Sequence, residues 1–320
     1  MMFKLTKFQI QIIPQIRRSL SFSSVTTTIL EPPSFSKSFP KHLPSDFQSL
    51  TVLDAWECAV DHKIIRFQLP SNVSNISALG VPSGIKIRQT INGETLDKSY
   101  SPVSHPDVPN VVDVLAKSYP FRQGGGLGQY LCNMKRGDFI DIKLKPEKLF
   151  QGVPYERNRW KEMVLIGNGT GVCPLYQLAL SILTDTEDRT KISMISQHRT
   201  AQDIILKNEI NEFEKIHPLQ FKSYVLLSQK ESSGDDDDLS VYGSGRIQLH
   251  NLMNTDIIPK PTLNNDTHAI VCGTDGFLNT VCGGHVRIDV PGQIKKKKQQ
   301  GELLGLLNEV GWLKENVTKL

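Results

Sequence analysis

The chain of 320 residues carries a formal net charge of +4, with apolar and charged fractions ordinary for a soluble globular protein. So small a charge excludes a strongly basic nucleic-acid-binding protein, and the length favours two domains. Five widely spaced cysteines without a Cys-x-x-Cys pair suggest neither a zinc site nor a disulfide framework. No stretch reaches the roughly 18 apolar residues of a membrane span, which leaves only peripheral membrane association open.

Residues 1–44 are predicted to form a mitochondrial transit peptide and a disordered linker. Five basic residues face one acidic residue, Glu31, among the first forty positions, and residues 19–28 are rich in hydroxyl side chains. That composition is typical of transit peptides, and a disordered tail is the alternative. The prediction places the protein in mitochondria, in the matrix or the intermembrane space.

Residues 45–157 are predicted to form an antiparallel β-barrel. They carry short alternating runs at 51–60, 64–69, 84–88, 111–116 and 139–144. Turn signals separate the runs, among them Asn92-Gly93 and Arg136-Gly-Asp138. Several short strands at close spacing are typical of a small barrel.

Residues 158–320 are predicted to form a Rossmann-like parallel α/β domain with a C-terminal extension, because strand and helix patterns alternate. Strands are expected at 163–166, 191–196, 221–227 and 269–272, and helices at 174–183, 203–216 and 303–310. Residues 230–244 contain four consecutive aspartates and are predicted to be a surface loop.

A glycine-rich turn follows the first of these strands. Gly167–Pro174 read Gly-Asn-Gly-Thr-Gly-Val-Cys-Pro, between an apolar run and a helical pattern. Glycines in such a turn let backbone N–H groups approach a pyrophosphate, and the helix adds its positive end. The turn alone is a weak signal, since such bends also occur for packing.

The segment Lys98-Ser-Tyr-Ser-Pro-Val-Ser104 resembles the flavin motif of the ferredoxin-NADP reductase superfamily, and within it of NADH-cytochrome b5 reductase. The resemblance implies that Tyr100 packs on the isoalloxazine, that Ser101 bonds near flavin N5 and that Lys98 binds phosphate. Pro102 completes the motif. Lys98 replaces the family's arginine and lacks its two-pronged grip on phosphate.

A second segment resembles the family's FAD pyrophosphate loop and the strand before it. The implied FAD-binding residues are Lys117, Tyr119, Gly124, Gly125, Gly126, Leu127 and Gly128. The glycines would allow close backbone approach at a helix N-terminus. Gly128 stands where the family usually has serine, so one phosphate hydrogen bond should be missing.

The nucleotide segments complete the resemblance. The implied pyridine-nucleotide cradle is Gly167, Gly169, Thr170, Gly171 and Pro174, with Cys272 and Gly273 flanking the nicotinamide. Thr274 replaces the family's proline, and Asp275 adds a charge. Arg199 lies where the family contacts the adenine ribose, and it leaves NADH or NADPH open.

The resemblance implies an FAD-dependent NAD(P)H oxidoreductase that passes electrons to a one-electron acceptor, such as a mitochondrial cytochrome or another haem protein. Ser101 and Cys272 are the implied catalytic residues. The ending after Gly301 is similar to fungal mitochondrial flavoproteins related to the cytochrome c import and haem-attachment factor. The alternative is a non-enzymatic flavin-binding factor for cytochrome or haem assembly, with a degenerate reductase core. A nucleotide-binding regulator without flavin is a third reading.

Overall fold

A computed structural model describes residues 43, 46–71, 73, 81–105, 108–119, 126–145, 155–229, 242–253, 258–261, 266–289 and 297–320. All of them belong to the compact unit Pro40–Leu320. The predicted transit peptide, most of the aspartate-rich loop, and Gly124 and Gly125 of the FAD loop lie outside the described residues. Among those described, no helix is both long and apolar enough to cross a bilayer.

The first half, called the barrel here (described residues between 43 and 145), is a six-stranded antiparallel sheet. Its strands are β1 (Gln48–Ala59), β2 (His62–Gln68), β3 (Ile85–Ile91), β4 (Glu94–Tyr100), β5 (Val111–Lys117) and β6 (Phe139–Leu144), in the order β4-β3-β6-β1-β2-β5. Asn92 and Gly93 both have positive φ between β3 and β4, as a type I′ hairpin requires. A bridge between Pro102 and Val114 joins the two ends of the order.

The interior of the barrel explains why these runs become strands. Alternate apolar side chains of several strands are fully buried in one cluster, including Val52, Phe67, Ile87 and Val114. Helix α1 (Gly126–Asn133) packs against β5 and adds Leu127 and Leu131 to that cluster. Burial of this apolar surface is the main stabilising contribution to the barrel.

The second half, called the α/β half (described residues between 155 and 320), contains a parallel sheet. Its strands are β7 (Glu162–Asn168), β8 (Lys191–His198), β9 (Phe221–Leu227), β10 (Tyr242–Ser244), β11 (Thr267–Cys272) and β14 (Val317–Lys319), in the order β10-β9-β8-β7-β11-β14. The helices are α2 (Val172–Thr184), α3 (Lys207–Ile216), α4 (Leu249–Met253), α5 (Asp275–Val281) and α6 (Gly305–Glu309). Strands β12 (His285–Ile288) and β13 (Lys297–Gln300) form a separate antiparallel ribbon. The predicted fold class is confirmed.

Two local predictions were wrong. The helix expected over 203–216 begins only at Lys207, because Leu206 has a left-handed backbone, with φ of 54°, and the short turn Ala201–Asp203 precedes it. The loop expected to extend to Ser244 ends earlier, since residues 242–244 form β10 beside β9. Three residues are too few to show a strand pattern in the sequence.

The C-terminal extension is part of the α/β core. Strand β14 pairs in parallel with β11, and Trp312 is buried in the same apolar cluster as Phe277 and Leu307. Gly311 follows α6 with φ of 88°, the conformation that favours glycine after a helix. The tryptophan therefore has a packing role.

Candidate functional site

The predicted flavin segment forms the line along which the barrel closes. Tyr100 ends β4 opposite Ile85, and the chain then runs beside β5, where Val103 N–H donates to the Asp113 carbonyl at 2.9 Å. The Asp113 N–H donates in turn to Ser104 Oγ at 3.0 Å. Tyr100 packs on the barrel core, and burial raises its pKa well above the ordinary value. The segment is thus held in a fixed position.

A buried ion pair supports this line. Arg66 donates to both carboxylate oxygens of Asp113, each at 2.7 Å, and its guanidinium lies 5.4 Å from the Trp56 ring centroid. The hydrogen bonds to Asp113 raise the pKa of Arg66 against the opposing effect of burial. Bidentate pairing fixes both side chains and satisfies the buried carboxylate. Asp113 therefore anchors the flavin segment through its backbone and is itself anchored through its side chain.

Lys98 and Tyr100 lie on one face of β4, because residues two apart in a strand point the same way. Ser101 follows them and is buried. The lysine, the tyrosine ring and the hydroxyl are thus close along the chain, as the flavin motif requires. Their roles toward flavin stay predictions.

The FAD loop ends in α1, which rests on the end of β5. Gly126 has φ of 68° and is followed by a first helical turn without an acidic side chain. A β-carbon built on Gly128 would overlap the carbonyl oxygen of Lys117. The Lys117 ammonium lies 5.9 Å from the centroid of the Tyr119 ring, which is half-exposed. Glycine at 128 is therefore required by this packing.

The glycine turn after β7 has a closed side and an open side. A β-carbon on Gly167 would lie 2.9 Å from Val172 Cγ2, and one on Gly171 would lie 2.8 Å from the Cα atom of Gly273. At Gly169, with φ of 51°, no atom stands within 4 Å of the same position. The closed side packs on the protein, and the open side is free for a ligand.

The helix that begins at the turn suits an anion. No side chain caps the N-terminus of α2, and its first turn contains no acidic residue. Pro174 sits in that first turn, where a missing N–H removes no helical hydrogen bond. The remaining N–H groups and the helix dipole favour a phosphate. The residues of this turn fit a pyridine nucleotide.

Cys272 and Gly273 lie beside the glycine turn. Cys272 ends β11 opposite Gly167 of β7. Thr274, which replaces the family's proline, caps α5 by accepting a hydrogen bond from the Phe277 N–H at 3.3 Å. The exposed Asp275 carboxylate lies 3.5 Å from the Lys298 ammonium. Both departures thus have local structural partners.

Arg199 directly follows β8 and is held by Asp203, a residue to which sequence reasoning assigned no role. Asp203 accepts from Arg199 Nε at 3.1 Å and from Thr200 Oγ1 at 2.8 Å. Burial acts to raise the pKa of Asp203, but the hydrogen bonds from Thr200 and Arg199 lower it below the ordinary value. The capping-box pattern of Thr200 and Asp203 is the sequence signal that could have identified it.

The barrel and the α/β half meet at β5, the glycine turn and the Cys272-Gly273 segment. Strand β5 of the barrel contacts the turn Gly169–Gly171, and Gly171 contacts Cys272 and Gly273. Sequence reasoning also missed a buried pair at this seam, Ser83 and Gln177, since neither residue type signals a contact. Three of the predicted segments therefore come together at the carboxyl ends of adjacent strands, where open α/β sheets bind ligands.

A separate cavity of about 370 Å³ lies at the other end of the parallel sheet. Its lining includes Trp160, Glu162, Lys191 and Thr267, close to where β7, β8 and β11 begin. None of the predicted site residues lines it. The cavity therefore does not belong to the candidate site.

Comparisons with known proteins agree with this geometry. A family described as "Oxidoreductase FAD-binding domain" matches residues 49–146, and one described as "Oxidoreductase NAD-binding domain" matches residues 165–283. The chain is 32% identical to NADH-cytochrome b5 reductase 2 of Aspergillus clavatus over 260 residues, 80% of this chain and 72% of that protein. The corresponding Neurospora crassa protein is 31% identical over 261 residues, covering 80% and 68%.

A solved structure extends the comparison to the fold. The cytochrome b5 reductase domain of Ulva prolifera nitrate reductase superposes with a TM-score of 0.68, at 20% identity. The superposition covers 88% of this chain and 100% of that domain. Both halves of the chain therefore share the fold of that domain.

Proposed function

Since the chain belongs to the NADH-cytochrome b5 reductase family of FAD- and NAD-binding oxidoreductases, we propose that it passes electrons from NADH through FAD to a mitochondrial haem protein. The observation that supports this most is the contact of β5 and of Cys272-Gly273 with the same glycine turn. That contact brings the predicted flavin strand and both predicted nucleotide segments to one place.

The residues of the chain bind and orient the reactants. Tyr100 offers a ring fixed by β4, and Ser101 offers a hydroxyl near the position where a proton must be held. Lys98, Lys117 and the N–H groups at the start of α1 suit the phosphates of FAD. Pro102 and Tyr119 shape the same surface. When bound, the flavin converts a hydride donor into a source of single electrons.

On the other side, the open face of Gly169 and the start of α2 receive the pyrophosphate of the nucleotide. Thr170 lies within the turn between them. Cys272 and Gly273 then flank the nicotinamide and hold it toward the barrel. Fixing the donor against the acceptor in this way reduces the entropic barrier to hydride transfer.

The donor we propose is NADH, in line with the names of the relatives. The fork of Arg199 already faces the carboxylate of Asp203. The negative charge of Asp203 would repel a 2′-phosphate that approaches Arg199, whereas it would not repel the neutral 2′-hydroxyl of NADH. Repulsion between like charges a few ångströms apart at a protein surface is large enough to discriminate between the two nucleotides.

The visible spectrum tests the proposal directly. Protein purified with added FAD should show a flavin band at about 450 nm, and NADH should bleach that band under anaerobic conditions. The bleached protein should then reduce an added cytochrome. A flavin band that neither NADH nor NADPH bleaches would contradict the proposal.

A non-enzymatic assembly factor is the less favoured function. Two of the departures that suggested a degenerate core have structural reasons, because Gly128 allows α1 to pack and Thr274 caps α5.

The composition of residues 1–44 supports the mitochondrial location. Import of the full chain into isolated mitochondria, with loss of import after deletion of residues 1–39, tests that part.

A further inference from the structure

A buried amide side chain joins the two halves. Gln177, in α2, is 0% exposed, and Ser83, in the barrel, is 4% exposed. Gln177 Oε1 accepts a hydrogen bond from the Ser83 N–H at 2.7 Å, and Gln177 Nε2 donates to Ser83 Oγ at 2.7 Å. Both ends of the amide are thus satisfied by one residue of the other half.

Each partner is close to one of the cofactor segments. Ser83 precedes β3 by two residues, and Ile85, the first residue of β3, pairs with Tyr100. Gln177 lies in the same helix that begins after Gly171. The link therefore connects the predicted flavin tyrosine to the predicted nucleotide turn by a short path of rigid elements.

Three other hydrogen bonds among the described residues cross between the halves, and they differ in kind. The Tyr155 N–H donates to the carbonyl of buried Val81 at 2.9 Å, which is a single backbone bond that involves no side chain. The Val60 N–H donates to the Gln202 carbonyl at 3.0 Å from a partly exposed hairpin, and Thr184 Oγ1 lies 3.3 Å from His105 Nε2 at the surface. Water can replace such bonds when the halves move. Water does not readily replace the bonds of Gln177, since both partners are buried.

The burial makes the relative position of the halves specific. A shift of one half would leave the Ser83 N–H and the Gln177 amide without partners in a region closed to water, which is costly. The paired position is thus favoured over nearby ones. An apolar residue at 177 could fill the same space without selecting one position.

We propose that Gln177 is a positioning residue for hydride transfer, which holds the two halves so that nicotinamide and flavin meet in a reactive geometry. The inference rests on the proposed function and deepens it. Transfer between two bound groups is sensitive to displacements of about 1 Å, so a small loss of register lowers the rate more than it lowers binding.

Substitutions on both sides of the link test this with the full-length, FAD-loaded protein. Gln177→Leu removes both hydrogen bonds at similar volume, Ser83→Ala removes only the one to Oγ, and Gln177→Glu retains an acceptor for the Ser83 N–H. Gln220→Leu is the matched control, because Gln220 Nε2 bonds only within the α/β half, to the carbonyls of Asp188 and Thr190 at 2.9 and 3.1 Å.

Gln177→Leu should lower the rate of flavin bleaching at saturating NADH by about 10- to 100-fold. The dissociation constants of FAD and NADH should stay within about threefold, which separates positioning from binding. Ser83→Ala and Gln177→Glu should fall between wild type and Gln177→Leu, and Gln220→Leu should reduce at the wild-type rate. A wild-type rate in Gln177→Leu, or a loss shared equally by Gln220→Leu, would overturn the inference.

Hydrogen exchange gives a readout that does not depend on activity. In the protein without nucleotide, the Ser83 amide should exchange faster in Gln177→Leu, while amides inside the barrel and inside α2 keep their protection. Unchanged exchange at Ser83 would overturn the link even if the protein proves inactive. If Gln177→Leu does not fold, Gln177→Met, which also removes both hydrogen bonds at similar volume, carries both measurements. Failure of wild-type protein to be reduced would contradict the proposed function while the exchange test still decides the link.

Discussion

Gly171 rests directly on the end of strand β11. A β-carbon added to Gly171 would lie 2.7 Å from the carbonyl carbon of Cys272, closer than real side-chain contacts allow. The glycine turn and the Cys-Gly segment, 101 positions apart in the sequence, are therefore in backbone contact. Each fixes the position of the other at the candidate nucleotide site.

Gly171→Ala should consequently weaken both the fold and nucleotide binding. Overpacking of this kind costs about 1–3 kcal/mol, and relief requires the turn to move away from Cys272. The free energy of unfolding and the NADH dissociation constant measure the two effects. Gly276→Ala is the control, since no atom lies within 4 Å of its β-carbon position. Equal behaviour of the two variants would contradict the contact.

Gly128→Ser tests whether the missing family serine weakens FAD binding. From the resemblance alone, the serine should restore a hydrogen bond and tighten binding. The structure predicts the opposite, because its β-carbon would overlap the Lys117 carbonyl and push α1 from β5. We expect weaker FAD binding and a lower Tm, measured by flavin fluorescence and thermal unfolding. Tighter binding would show that the helix can shift at little cost.

Asp203→Asn should shift donor preference toward NADPH. The amide still accepts from Thr200 but no longer repels a 2′-phosphate near Arg199. The ratio of kcat/KM for NADPH to that for NADH should rise about tenfold, equivalent to about 1.4 kcal/mol. Addition of Arg199→Gln should remove the gain. An unchanged ratio in Asp203→Asn would place the ribose contact elsewhere.

Two buried histidines should make stability depend on pH. Burial, the largest cause, lowers the pKa of His198 and of His268 to about 4. Above about pH 6.5 both histidines are neutral in the folded and in the unfolded chain, so they do not lower the free energy of unfolding. As the pH falls toward about 4 the free energy of unfolding decreases, because the unfolded chain binds the protons first. Each should cost roughly 3 kcal/mol over that window.

Urea unfolding at several pH values measures this dependence. His198→Asn should flatten the slope between pH 6.5 and 4 by up to about 1.4 kcal/mol per pH unit. The exposed His250→Asn is the control. An unaltered slope in His198→Asn would mean that the His198 ring is already accessible to protons in the fold.

The sequence predicted the fold class because its signals are local. The apolar run before Gly167 and the periodic residues after it define a strand, a turn and a helix within one short stretch of sequence. It did not predict strand β14 or the bond between Ser83 and Gln177. Val317–Lys319 is too short for a periodic pattern, and the partners of Gln177 are 94 positions away. Long-range pairing of ordinary polar residues leaves no trace in one sequence.

The bridge from Pro102 to Val114 gives the flavin segment a second duty. The segment that would face the cofactor also joins β4 to β5, the two ends of the strand order, so one stretch of chain serves both cofactor binding and barrel closure. A substitution at Pro102 should therefore affect both ligand binding and the stability of the protein without its ligand. Few substitutions should be tolerated in this segment, so we expect changes that adapt the protein to a different electron acceptor to lie elsewhere on its surface.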